Sequence, residues 1–308
     1  MASTHGDLSM NTVEVSHLAK RFGDVRAVAD VSFAVTHGEI FGLLGPNGAG
    51  KTTTIRMILD IFKPDSGSIS ILEGPMTEQK KDRIGYMPEE RGLYQEMPLE
   101  KCLVYLGTLK GLPASEAKLR AQRYLDRLDL FQHRKKKVKE LSRGMQQKAQ
   151  IVNTVLHEPE LLIVDEPFSG LDPVNTQLVK ELMKELRQQG TTIIMSTHMM
   201  HQVEELCDRI VLIHQGKNVL YGDLSQIRRQ FSGHGVLVQV VGPLPDVSGV
   251  TGIERRNGAL HMTLAAETKP QQIVEQLVEK NVTIERFEID IPTLDEIFIQ
   301  AVSEVEPV

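Results

Sequence analysis

The stretch Gly45-Pro46-Asn47-Gly48-Ala49-Gly50-Lys51-Thr52-Thr53 constrains this chain more than any other. It fits G-x-x-x-x-G-K-[ST], a loop that holds phosphate. The apolar run Ile40-Phe41-Gly42-Leu43-Leu44 leads in and reads as a buried strand, and Thr54-Ile55-Arg56-Met57-Ile58-Leu59 follows as a helix. Strand, glycine loop and helix in that order are the context the motif requires. Glycines let backbone N–H groups turn inward around phosphate oxygens, and the helix N-terminus adds positive dipole. Lys51 is expected to reach the β- and γ-phosphates of a nucleotide, and the Thr52 hydroxyl to hold Mg²⁺. Alone, the loop indicates a nucleotide and no particular reaction.

A chain of 308 residues suggests about two domains. Its 41% hydrophobic and 25% charged content is ordinary for a soluble globular protein. The net charge of −6 leaves no basic footprint, which disfavours nucleic acid as a main partner. Cys102 and Cys207 form no metal-type pair and fit a reducing, cytosolic setting. Residues 1–12 are polar and carry no leader-like apolar core. No run approaches the ~18 apolar residues needed to span a bilayer. Work at a membrane would need another polypeptide.

Ahead of the loop, Thr12 to Leu18 and Val25 to Val35 alternate as strands around a turn at Arg21-Phe22-Gly23-Asp24. They make an antiparallel β layer. Behind it lie short strands at Ser68–Leu72 and near Met87, then the polar connector Pro88-Glu89-Glu90-Arg91-Gly92-Leu93-Tyr94. A helical region spans about 90–157, with Arg134-Lys135-Lys136-Lys137 as a solvated basic turn. Leu161-Leu162-Ile163-Val164 suits a parallel strand buried on both faces. Val174–Gln189 reads as a helix, Thr191–Ser196 as a second buried strand, and Arg209–His214 as a strand that turns into Val219–Tyr221. Composition changes at Ser232-Gly233-His234-Gly235, placing a linker between domains at 10–231 and 235–303. The second is a small α+β unit without a cluster of chemistry-bearing side chains.

Four elements then fall in a fixed order around the loop. The apolar strand ends in Asp165-Glu166, placed to order Mg²⁺ and to polarise a water. Leu141-Ser142-Arg143-Gly144-Met145 opens a helix where Ser142 and backbone amides can meet a phosphate oxygen; read alone it is an ordinary helix cap. Ser169-Gly170-Leu171-Asp172 follows the carboxylates as a turn, and His198 ends the next strand.

Together these motifs resemble the ATP-binding-cassette (ABC) ATPase family over about residues 12–225. Gly45–Thr53 matches its Walker A loop and Leu161–Glu166 its Walker B strand with the catalytic glutamate. Leu141–Met145 matches the signature, Ser169–Asp172 the D-loop and His198 the switch histidine. Phe22 falls where the family stacks an aromatic on adenine. Three positions depart from the family pattern: Arg143 and Met145 replace the Gly and Gln of L-S-G-G-Q, and Glu89 stands where a glutamine is usual. A carboxylate at 89 is a hard oxygen donor that suits Mg²⁺ or water. Whether Glu89 or Glu90 takes that role stays open. The connector, the signature Leu-Ser-Arg-Gly-Met-Gln-Gln and the tail ending Pro292-Thr293-Leu294-Asp295-Glu296-Ile297-Phe298 are similar to the ATP-binding subunits of ABC-2-type exporters, including the sodium-efflux type.

The resemblance implies an α/β P-loop fold with an antiparallel β subdomain, a helical subdomain and a C-terminal α+β domain. It implies ATP and Mg²⁺, catalysis by Glu166, His198 and Lys51, and Thr52, Asp165 and Glu89 at the metal. It further implies a head-to-tail dimer in which Ser142, Arg143, Gly144 and Met145 complete the partner's site, with Asp172 in the D-loop. A separate membrane permease would hold the protein at the inner face of the cell membrane, touching residues near 91–112. The rivals are a soluble cassette ATPase acting on ribosomes or DNA, a small-molecule kinase, and a nucleotide-binding module without turnover.

Overall fold

The computed structural model describes residues 10–90, 92–231, 235–256, 259–265 and 267–305. The chain forms two compact units that divide between Asp223 and Leu224. The sequence pointed to a division at 231–235; its linker residues Ser232, Gly233 and His234, and Arg91 of the connector, lie outside the described residues.

The first unit runs β1 (Asn11–Phe22), β2 (Val25–Thr36), β3 (Ile40–Leu44), α1 (Lys51–Ile58), β4 (Ser66–Ile71), α2 (Glu78–Lys81), β5 (Ile84–Met87), α3 (Leu99–Leu109), α4 (Ala114–Arg127), α5 (Arg143–Val155), β6 (Leu161–Asp165), α6 (Pro173–Gln188), β7 (Thr192–Thr197), α7 (Met200–Leu206), β8 (Arg209–His214) and β9 (Lys217–Asp223). The strands form one sheet in the order β4-β1-β2-β9-β8-β3-β7-β6-β5. The β4-β1-β2 end is antiparallel, and β8-β3-β7-β6-β5 is parallel throughout. The fold class read from the sequence holds. One correction concerns the first hairpin. Phe22 pairs with Val25, so Arg21 and Phe22 belong to β1 and only Gly23-Asp24 turn. A two-residue turn suffices because Gly23 takes φ 57, the left-handed conformation that glycine adopts without penalty.

Every residue of β3, β6 and β7 is buried, which explains their continuous apolar runs. The strand β7 lies between β3 and β6 and parallel to both, with Leu44 opposite Thr197 and Asp165 opposite Ser196. That order brings the C-terminal ends of three strands together, the edge where open α/β sheets bind ligands. The basic turn lies at the surface, as its composition implied: Lys135, Lys136 and Lys137 are exposed, Lys137 and the nearby Lys139 pair with the exposed Glu96, and Arg134 lies 3.8 Å from Glu100. Both cysteines are buried thiols whose pKa burial pushes up, as expected of small core residues.

His157, just after α5, carries a pH dependence. Its ring Nε2 lies 3.1 Å from the Ile84 carbonyl and donates to it, while Nδ1 is buried without a partner. Burial, with Lys110 nearby, lowers its pKa from 6.5 to about 4. Above pH 6.5 the ring is neutral in both folded and unfolded chains. As pH falls toward 4 the unfolded chain binds the proton more readily, so stability is lost across that window by up to about 3 kcal/mol. Thermal melts between pH 7 and pH 5 are expected to show a falling midpoint in the wild type and a shallower fall in His157→Gln. Equal slopes would contradict the assignment.

The second unit contains α8 (Leu224–Gln230), β10 (Gly235–Val241), β11 (Val250–Arg256), β12 (Ala259–Leu264), α9 (Pro270–Glu279), β13 (Thr283–Ile289) and α10 (Leu294–Val305). Its antiparallel sheet has the order β11-β12-β10-β13. Ile273 and Leu277 of α9 pack on Val236, Val238, Met262 and Leu264 to make its core. The sequence did not indicate α8, whose seven residues bury only Leu224 and Ile227. Among the described residues, no helix is long and apolar enough to cross a membrane.

Candidate functional site

A cavity of about 520 Å³ opens at the C-terminal ends of β3, β6 and β7. The loop after β3 supplies Asn47, Gly48 and Gly50 through Thr53, and the far wall holds Glu89, Asp165, Glu166 and His198. Two loop glycines are obligatory. At Gly45, φ is 147 and a Cβ would lie 2.2 Å from the Ile213 carbonyl oxygen; at Gly50, φ is 108 and a Cβ would lie 2.5 Å from that of Ala27. The loop is therefore clamped between β2 and β8, and the Gly216 amide donates to the buried Ala49 through its carbonyl at 3.0 Å. No side chain caps α1, so its first N–H groups face the cavity as anion donors.

Lys51 folds over its own loop, with Nζ donating to the carbonyls of Gly45 at 2.7 Å and Pro46 at 3.1 Å. Burial pushes its pKa below the usual lysine range, and Glu166, Asp165 and Glu89 pull it back up. Three carboxylates thus face one ammonium. Asp165 is 1% exposed and fully engaged: Oδ2 accepts from the Thr52 hydroxyl at 3.0 Å and Oδ1 from the Ser196 hydroxyl at 2.7 Å. Thr52, Asp165 and Glu89 make an oxygen donor set of the kind a hard divalent cation takes.

Glu166 is held by three donors. Oε1 accepts from the His198 amide at 3.1 Å and from its ring Nδ1 at 2.6 Å, and Oε2 accepts from the Thr197 hydroxyl at 3.1 Å. Its backbone has φ 49. For a residue preceding proline that conformation costs of order 1–3 kcal/mol and persists only where its surroundings impose it. Here the Glu166 amide donates to Ser196 O at 2.9 Å, and the Gln147 side chain donates to the carbonyls of Glu166 and Pro167 at 3.2 and 3.1 Å. The strained backbone and the three donors together hold the Glu166 carboxylate in one orientation on the cavity wall.

Other sequence-predicted residues lie elsewhere. Ser142 caps α5, accepting from the Met145 amide at 3.3 Å, and Ser142 and Arg143 are exposed. Neither they nor Gly144 and Met145 line the cavity. Gly144 sits by the turn before α6: a Cβ on it would lie 3.2 Å from Gly170 O. Asp172 caps α6, accepting from the Asn175 amide at 2.9 Å, and its bonds to Asn175 hold its carboxyl below the usual range. Phe22 is 44% exposed and meets Phe62 edge-on at 5.3 Å; the cavity wall on that side is Val25, Arg26 and Ala27. Sequence reasoning missed Ser196, Thr197 and Gln147. A usable signal existed, because Ser196 and Thr197 are polar residues ending an apolar strand and Gln147 lies on the buried face of an amphipathic helix.

Comparisons with known proteins agree with this fold. Residues 28–169 match the family described as "ABC transporter", and residues 222–302 match "ATP-binding protein DrrA1-3-like, C-terminal domain". An uncharacterized ABC transporter ATP-binding protein of Bacillus subtilis, YhaQ, is 42% identical over 94% of this chain and 98% of its own. The Nod factor export ATP-binding protein I of Burkholderia lata is 34% identical over 76% of this chain and 77% of its own. A solved structure of an ATP-binding subunit of an ABC transporter superposes with a TM-score of 0.66 at 36% identity, covering 71% of this chain and 93% of that one.

Proposed function

Because this chain belongs to the ATP-binding subunits of ABC transporters, we propose that it is the ATP-hydrolysing subunit of an ABC-2-type exporter, with Glu166 as its general base. One observation carries the assignment of Glu166: its carboxylate is oriented by three donors on the wall opposite the phosphate loop. In this reading the loop amides and Lys51 bind the β- and γ-phosphates, and Glu166 orients the attacking water and takes its proton. His198 fixes the Glu166 carboxylate through Nδ1 and is the switch toward the γ-phosphate. Thr52 and Asp165, with Glu89, would hold Mg²⁺, which neutralises charge on the triphosphate when bound. Phe22 stacks on adenine.

Each cavity is half a site. Ser142, Arg143, Gly144 and Met145 stand away from their own phosphate loop, which supports a head-to-tail dimer in which they cover the partner's γ-phosphate, with Asp172 at the seam. The two units then divide the labour, the first as motor and the second as an accessory to regulation or dimerisation. A separate membrane permease holds the protein at the cytoplasmic face of the cell membrane and selects the cargo. Tyr94, Tyr105 and Leu109 support contact near 91–112, being 48%, 44% and 63% exposed, with the two rings edge-to-face at 5.7 Å. The test of turnover is steady-state phosphate release. Wild type is expected to hydrolyse ATP with Mg²⁺, and Lys51→Ala to lose that activity by at least about 100-fold. Rates indistinguishable between the two would contradict the reading.

A further inference from the structure

The helix α5 continues past the residues that open it. Gln147 and Gln150 follow on one face, three residues apart, and both are buried at 3% and 4% exposure. Gln147 binds the backbone at Glu166, as described. Gln150 makes the matching contact on the other side of the site: its Nε2 donates to Pro88 O at 2.8 Å and to Glu90 O at 3.1 Å. Both amide hydrogens are then used, on the two carbonyls that flank Glu89. The backbone on either side of Glu89 is pinned, while its side chain is left to line the cavity beside Lys51. The Gln150 Oε1 is buried with no partner. A buried amide with an unmet acceptor is a cost that packing does not require, since a methionine would occupy similar volume. The two donated bonds are what the amide contributes.

We propose that Gln150 is a positioning residue for hydrolysis: it ties the Pro88–Glu90 loop to α5, so that the Glu89 carboxylate is presented to the metal side of the cavity when α5 is seated. The inference rests on the reading of this cavity as an ATPase site with Glu89 as an oxygen donor. It adds a mechanical link. Ser142 and Gln150 are joined by about 12 Å of continuous helix, which moves as one body.

The test uses the full-length chain and two readouts: its ATPase rate as a function of ATP and of Mg²⁺, and the Mg²⁺ dependence of fluorescent ATP-analogue binding, which needs no turnover and is expected to shift alongside. Gln150→Met is expected to lower kcat about 10-fold and raise half-saturating Mg²⁺ about as much, the range seen when a residue orienting a ligand is lost. The KM for ATP is expected to stay within about two-fold, since the phosphate loop is untouched. Glu89→Gln is expected to shift the Mg²⁺ dependence similarly, and Gln150→Met to add nothing in that background. Gln150→Asn, one methylene shorter and still polar, is the second variant should the methionine fail to fold; it is expected to give the same pattern. A Gln150 effect that persists in full in the Glu89→Gln background, or a Mg²⁺ dependence unmoved by either change, would overturn the proposal. Wild-type turnover no faster than that of Lys51→Ala would overturn the ATPase reading beneath it and is seen before any Gln150 variant is made.

Discussion

Glu166→Gln is expected to reduce ATP turnover by about 10²–10⁴-fold, the range for loss of a positioned general base, while leaving nucleotide binding intact. The geometry makes the substitution severe. Glu166 accepts three hydrogen bonds, two on Oε1 from His198 and one on Oε2 from the Thr197 hydroxyl. A neutral amide has one acceptor oxygen, so at least one donor loses its partner and the basic oxygen is gone. Lys51, the loop amides and the α1 N-terminus are unchanged, so ATP stays bound without being consumed. If ATP closes two copies on each other, size-exclusion chromatography of Glu166→Gln with ATP gives a dimer. A monomer that persists at high protein concentration would count against the paired arrangement.

Gly144→Asp is expected to abolish turnover comparably, by a different route. Gly144 is remote from its own cavity, so each chain should still bind ATP. A Cβ at 144 would press on Gly170 O at 3.2 Å, tight enough that the turn must give way. The carboxylate would also set negative charge at an α5 N-terminus proposed to face the partner's γ-phosphate, reversing the attraction of the helix dipole. The expected result is phosphate release at least about 100-fold below wild type, with binding of a fluorescent ATP analogue within about two-fold, the pattern of an interaction made only in the closed, reacting state. Normal turnover in Gly144→Asp would remove α5 from the reacting site.

Much of the cavity was legible because its chemistry is local. Gly45 through Thr53 lie on one loop, and Asp165 and Glu166 end one apolar strand, so spacing and residue type sufficed. What was hidden depends on strand order. Nothing in the linear sequence says that β7 inserts between β3 and β6, and it is that insertion which brings Ser196 to Asp165 and Thr197 to Glu166. The Gln150 contacts join α5 to a loop about 60 residues earlier, beyond the reach of periodicity arguments. Gly23-Asp24 is a strong turn signal whose width the sequence does not state, and only the pairing of Phe22 with Val25 shows that the strand runs up to it. Seven residues with two buried apolar positions are too few for α8 to show helical periodicity.

Complementation between two defective chains tests the central claim, that the site is shared by two copies. Lys51→Ala lacks the phosphate-binding half and Gly144→Asp the covering half. Each alone is expected to be inactive. Mixed in equal amounts with ATP and Mg²⁺, random pairing makes half the dimers mixed, each with one site whose halves are both intact. Phosphate release is then expected to rise well above the sum of the two parents. If both parents fold and the mixture releases phosphate no faster than that sum, the two halves do not meet across a dimer, and the account of a shared site is wrong.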